Sequence, residues 1–144
     1  MADAVFQLYD AVLDVVDGDI DFASDTIMVA LMSAGFAHDN AHTVWGDVSA
    51  HEISGAGYTA GGLALTGATW ARSGSVRTLD ANDAVWSALT ATGVLGAVVY
   101  RADASDPAKR YLVASGQLDA AAFNVDGKYE ILWPATGILR QRKG

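Results

Sequence analysis

The chain has 144 residues, no cysteine and a formal net charge of −8 at neutral pH. That length suits one domain, and a domain of this size hides roughly two thirds of its unfolded surface, enough to fold without a disulfide or metal staple. The absent cysteine excludes a thiol nucleophile, a thiolate zinc site and a disulfide framework, and the acidic balance argues against nucleic acid as a partner.

The start, Met1-Ala2-Asp3-Ala4, lacks the basic n-region of a secretory signal. The best apolar run, Val94 to Tyr100, is strand-sized and far below the ~20 residues that span a bilayer. The expectation is a protein made in the cytoplasm, not exported by a signal peptide and without a membrane partner. Asp3–Asp17 predicts an amphipathic helix. Val5, Leu8, Tyr9, Val12, Val15 and Val16 recur at three- and four-residue steps, with Asp3, Asp10, Asp14 and Asp17 on the other side. Gly18 is a natural stop, although Asp14 and Asp17 oppose the helix dipole.

Asp17-Gly18-Asp19-Ile20-Asp21 alternates carboxylates as calcium loops do. An EF-hand would need Gly at 22 and Glu at 28, where this chain has Phe22 and Met28. A solvated turn from helix to strand is the better reading, with a weak structural cation as its rival. Asp25 to Met32 then reads as a largely buried strand, and Ser33 to Ser54 as a loop with Val44-Trp45 as its hydrophobic anchor. Gly55 to Gly62 is too glycine-rich for an element interior and predicts a tight bend. Leu63–Trp70 follows as a strand, which Ser73-Gly74 turns into Val76–Leu79. Val94–Arg101 and Arg110–Ser115 form a strand pair joined over Asp103–Pro107, where Asp106-Pro107 is a turn signal. Tyr129–Trp133 is the last strand, halted by Pro134.

The expected fold is mainly β with one N-terminal α-helix: an antiparallel β-sandwich or small barrel of six to seven strands. A single domain covers 1–144, with the helix over 3–17, a β-rich body over 25–138 and a basic tail, 139–144, that trails as a mobile end.

The constellations that carry chemistry are each broken at a named position. His38, His42 and His51 lie near Asp39, Asp47 and Glu52, but an i, i+4 metal pair needs a helix that Gly35 and Gly46 oppose. The glycines at 55, 57, 61 and 62 do not keep the dinucleotide-binding spacing, whose third glycine falls on Ala60, and the Lys-Ser/Thr pair of a phosphate-binding loop is missing. No serine sits in a Gly-x-Ser-x-Gly elbow, and 17 acids scattered through the chain select no glycosidase pair. No catalytic residue, metal ligand or cofactor site is expected, and the chain is read as a non-enzyme. Trp45, Trp70, Trp86 and Trp133 suit a core. Trp45 stands out, because long loops in compact domains are either functional or disordered.

The charge is split along the chain. Residues 1–71 hold ten carboxylates and no Lys or Arg, whereas nine basic residues face seven acidic ones from Arg72 onward. Such a split can orient assembly of copies; the alternative is that folding interleaves the two signs.

Several stretches together resemble a family of small virion structural proteins of tailed bacteriophages. The most specific is Asp47 to Leu65, with its block Gly55-Ala56-Gly57-Tyr58-Thr59-Ala60-Gly61-Gly62. Asp25 to Leu31, Ala97-Val98-Val99-Tyr100, and Ile131-Leu132-Trp133 followed by Gly137-Ile138 are also similar. The resemblance covers most of the chain, excludes the basic tail and carries over no catalytic residue. It implies a virion component that contacts the major capsid protein or tail and connector subunits, as a homo-oligomer. A capsid decoration or cement protein is the first expectation. A tail or head–tail connector subunit, or a carbohydrate- or receptor-binding module, is the alternative. The expected contact residues are Val44, Trp45, His51 and Tyr58 in the loop, and Arg140, Arg142 and Lys143 in the tail.

Overall fold

A computed structural model describes residues 2–8, 25–33, 35–73, 76–132 and 139–142. Among them are eight strands: β1 (Ala2–Leu8), β2 (Ile27–Met32), β3 (Leu63–Ala64), β4 (Thr69–Ser73), β5 (Val76–Asp80), β6 (Ala84–Arg101), β7 (Leu112–Leu132) and β8 (Leu139–Arg142). They form a five-stranded sheet in the order β1-β7-β6-β2-β3 and a three-stranded sheet in the order β4-β5-β8. Every pairing is antiparallel, so the mainly-β expectation holds. The only helical pieces among the described residues are 3₁₀ turns at Trp45–Asp47, Ser49–His51 and Pro107–Lys109, and no helix there is long and apolar enough to cross a membrane.

Strand β2 shows why the sequence folds this way. Its run Ile-Met-Val-Ala-Leu-Met is almost continuously apolar because the sheet is covered on both faces. Ile27, Val29 and Leu31 join one core with Trp86, Leu89, Ala97, Val99 and Ile131. Ala30 and Met32 alternate to the other face, where Val98, Tyr100 and Leu112 meet Phe36, Trp45 and Val48. Leu79 of β5 belongs to the first core, which brings the smaller sheet against that side. The second face is covered by the 33–54 loop, whose Phe36 and Val48 each contribute roughly 1.5–3 kcal/mol by burial.

The β6–β7 hairpin turns where expected. Arg101 donates through Nε to Asp25 (2.9 Å) and through Nη1 to the Lys109 carbonyl (3.0 Å). Asp103 accepts the backbone N–H groups of Ser105 (3.0 Å) and Asp106 (2.9 Å), which holds its carboxyl down at about 2. Asp106 caps the Pro107–Lys109 turn by accepting from the Ala108 N–H. Both strands run much longer than the sequence pattern predicts. Burial from Ala84 to Leu89 alternates and then slips by one residue, where the pairing register shifts between Trp86 and Leu89. Tyr129 to Leu132 is the end of β7 rather than a separate strand; Trp133 and Pro134 lie outside the described residues.

Three further expectations change. Ala2–Leu8 is not helical. It is strand β1, paired along β7 from Leu8↔Ala114 to Ala4↔Leu118. The sequence there also alternates apolar residues at Ala4, Phe6 and Leu8, and an available partner strand overrides a weak helical period. The rest of the expected helix, residues 9–17, and the Asp17–Asp21 turn lie outside the described residues. Leu63–Trp70 divides into β3 and β4, because Gly67 between them has a positive φ of 63°. The expected mobile end instead supplies β8, paired with β5 from Leu79↔Leu139 to Val76↔Arg142. Residues 143 and 144 lie outside the described residues.

Candidate functional site

An exposed strand edge presents unpaired N–H and C=O groups that invite another chain. Strand β3 pairs only with Met28 and Val29 of β2, so the rest of that edge needs another partner. The segment from His51 to Leu65 supplies it. The Ser33 N–H donates to the His51 carbonyl (2.7 Å), the Ile53 N–H to the Leu31 carbonyl (3.1 Å) and the Leu65 N–H to the Ile27 carbonyl (2.8 Å). The Leu31 N–H donates to the Tyr58 hydroxyl at 3.1 Å. This segment forms a strap that closes the edge of β2.

The strap is fastened by one carboxylate and two phenols. Glu52 Oε2 accepts from the Tyr58 hydroxyl (2.6 Å) and from the Gly61 N–H (2.7 Å). Tyr100 of β6 donates to the Gly61 carbonyl at 2.6 Å. Burial, then the hydrogen bond to Glu52, raises the Tyr58 pKa far above the ordinary phenol value. Burial pushes Tyr100 up to about 12, helped by the Glu52 charge and opposed by Arg110. Both phenols therefore remain protonated donors at any physiological pH.

Two glycines let the strap lie on the sheet. Gly57 (φ +81°) and Gly62 (φ +89°) approach so closely that a Cβ would stand 1.8 Å from the Ala88 carbonyl oxygen and 1.9 Å from that of Val29. The strap thus crosses from β6 to β2, with Ala56 bridged to Thr90 and the Tyr58 ring stacked on Trp86 at 6.3 Å. The glycine-tyrosine block is explained by backbone geometry and hydrogen bonding within the fold.

The residues expected to make contacts are distributed unevenly. Trp45 is only 8% exposed and stacks on Tyr100, ring centroids 4.3 Å apart and 9° from parallel, so its indole faces the core. Val44 is half-buried and bridged to Tyr111. Next to it, the N–H groups of Thr43 and Val44 donate to Asp47 and hold its carboxyl below the usual range. Tyr58 is half-buried, and His51 is exposed. Arg140 and Arg142 sit in β8, and Lys143 lies outside the described residues.

The histidines share one open pocket of about 490 Å³, lined by His38, His42, His51, Asp39, Asn40 and Phe36. Among the described residues no group of three or more histidines and carboxylates is placed to hold a metal ion. His38 Nδ1 lies 2.6 Å from Ser115 Oγ, and its Nε2 lies 2.7 Å from Asn40 Oδ1. The order Ser-His-Asn is that of a proton relay, but Ser115 is 1% exposed within β7. A hydroxyl beyond the reach of substrate is no nucleophile; the contact satisfies a buried polar group and ties the loop to the sheet.

Sequence reasoning misses Glu52 and Tyr100 as the fasteners of the strap. Tyr100 is 39 residues from its partner Gly61, a separation that no local motif marks. Ser115 and His38 are likewise 77 residues apart. No family model, curated protein or solved structure matches the chain.

Proposed function

We propose that this chain is a non-catalytic structural subunit of a tailed-phage particle, acting as a decoration protein that stabilises the capsid shell through protein–protein contacts. The observation that carries the reading is the role of Asp47–Leu65, the stretch on which the family resemblance rests. Its glycines, Glu52 and Tyr58 build a strap that closes a strand edge. A rigid subunit that presents many identical copies needs such closed edges to avoid promiscuous pairing. In this reading the two antiparallel sheets, which share Leu79 in one core, form a β-sandwich. The shell is held by many weak contacts acting together, made by the exposed rim at His51 and Gly46 rather than by the buried Trp45. The protein is made in the host cytoplasm and works in the virion, without metal or cofactor.

A tail or connector subunit is the second reading, favoured by the order of the described strands, in which β1, β4 and β8 each end a sheet. A sugar-binding platform gains less support, because Trp45 and Trp86 are buried. The test is mass spectrometry and imaging of purified particles, followed by adding the protein to particles that lack it. Decoration predicts copies on the shell and a gain in heat tolerance on addition. Copies confined to the tail favour the second reading, and absence from the particle overturns both.

A further inference from the structure

The edge of β2 is closed in pieces rather than by a full strand. Alternate residues of an antiparallel strand turn their backbone groups to the same side, and toward the strap these are Ile27, Val29, Leu31 and Ser33. The Ile27 carbonyl accepts from Leu65, Val29 pairs with Leu63, the Leu31 carbonyl accepts from Ile53, and Ser33 donates to His51. Between Ile53 and Leu63 the chain leaves the edge, with residues 54–57, 59 and 60 exposed. It returns one phenol to it. The Tyr58 hydroxyl oxygen, 3.1 Å from the Leu31 nitrogen, stands where a neighbouring strand would place a carbonyl.

Without the strap, β2 would be a hazard. Its six residues, Ile27–Met32, carry no charge, no proline and no glycine, the composition of segments that pair with their own kind when bare at an edge. The strand is also complementary to itself. Turned antiparallel about Val29, a second copy sets Val29 against Val29 and Ile27 against Leu31 on either side. All three positions then present their backbone groups to the other copy, and each Leu31 N–H meets an Ile27 carbonyl in place of the phenol. Such a contact is isologous and closes as a dimer.

We infer that the strap is an autoinhibitory contact: the Tyr58 hydroxyl, held by Glu52, occupies the β2 edge at Leu31 and keeps a second copy of this chain from pairing there. The phenol serves as acceptor for Leu31 and as donor to Glu52 at once, so a phenylalanine ring could still stack on Trp86 but would lose both bonds. The Tyr100 bond to the Gly61 carbonyl and the Ala56–Thr90 bridge steady the strap in its closed position. Pairing through β2 requires the strap to lift from both copies, so the dimer constant carries the open fraction twice. The inference concerns the isolated chain, and its failure would leave shell binding untouched, since that is measured on particles.

Sedimentation velocity on the full chain, with Tyr58→Phe beside the parent, tests it. Losing the two bonds should raise the open fraction about tenfold in each copy, and so the dimer constant about a hundredfold. Spin labels identify the edge. Thr26 is exposed and the chain has no cysteine, so Thr26→Cys takes one nitroxide per copy. Each Thr26 lies three residues from the two-fold at Val29, which places the two backbones about 20 Å apart at about 3.4 Å per residue. Electron paramagnetic resonance should find that separation in Tyr58→Phe and much less of it in the parent. Asp103→Asn, weakened at the β6–β7 turn instead, should not associate. Circular dichroism shows whether Tyr58→Phe folds; if it does not, Glu52→Gln decides, with a smaller gain in the same direction. A folded latch variant that associates no more than the parent overturns the inference. So does a dimer without the 20 Å separation, or a turn variant that associates as readily.

Discussion

Substituting Gly62 by alanine tests whether the strap is a fixed part of the fold. At φ +89° an L side chain is strained by about 1–3 kcal/mol. The added Cβ would also stand 1.9 Å from the Val29 carbonyl oxygen and 2.8 Å from the Ala30 Cα. Ordinary contact begins near 3.4 Å, so the backbone of β2 would have to withdraw by the difference. It has no room to do so, because Val29 is fully buried and paired with Val99 on one side and Leu63 on the other. Adding an overpacking cost of about 1–3 kcal/mol gives a loss of roughly 2–6 kcal/mol, or a fall in Tm of about 7–20 °C for a domain of this size. Two comparisons isolate the cause. Gly67→Ala meets the positive φ, but the nearest atoms belong to the exposed Asn82 side chain, so it should cost about half as much. Gly46→Ala, in an exposed turn with nothing within 4 Å, should stay within about 0.5 kcal/mol of the parent. Thermal unfolding followed by circular dichroism reads all three. If Gly62→Ala melts within about 3 °C of the parent, the strap does not lie on β2 as described.

Tyr58→Phe removes the acceptor of the Leu31 N–H and one donor to Glu52. The expected loss is about 1–3 kcal/mol, together with faster hydrogen exchange at the Leu31 amide; unchanged exchange there would exclude the bond. In alkali, the raised pKa values of Tyr58 and Tyr100 mean that the folded state holds phenolic protons that the unfolded state releases. The stability they contribute is complete below about pH 10 and drains away as pH rises toward 12 and beyond. Absorbance at 295 nm should show these phenols ionising only as the fold is lost, and a single step near 10 with intact structure would contradict this. In acid the sign reverses. Asp103, held at about 2, steadies the β6–β7 turn above the ordinary carboxylate pKa of about 4, and that help is lost as pH falls through 2. Nuclear magnetic resonance titration of the Ser105 and Asp106 amides should report that midpoint, which Asp103→Asn should abolish.

The parts legible in the sequence are those whose signal is local. Strand β2 announces itself as an apolar run, and the Asp-Pro turn marks the β6–β7 hairpin because proline and an Asx cap act on their immediate neighbours. The Ser73 turn into Val76 is visible for the same reason, since β4 and β5 pair across it. What stays hidden depends on partners distant in sequence. Alternation in β1 competes with a helical period over the same residues, and only β7, near the other end of the chain, decides between them. The early half of β6 is masked by the slipped register at Trp86–Leu89, which breaks the two-residue period. At the site, the strap's glycines are visible as a block, yet their reason is not, because Val29 and Ala88 cannot be seen beneath them. Trp45 reads as a loop anchor, but its stacking on Tyr100 turns it inward.

The pairing of β1 with β7 also bears on how the chain is made. Leu8 leaves the ribosome about a hundred residues ahead of its partner Ala114. At synthesis rates of about 5–20 residues per second, the first strand waits roughly 5–20 seconds before its place in the sheet exists. Strand β2 likewise needs Met32 to wait for Gly96. The β4–β5 hairpin can pair as soon as it emerges, whereas the five-stranded sheet, built on contacts distant in sequence, forms in a late step. During that interval the ten carboxylates of segment 1–71, with no positive charge among them to offer attraction, keep neighbouring nascent chains apart.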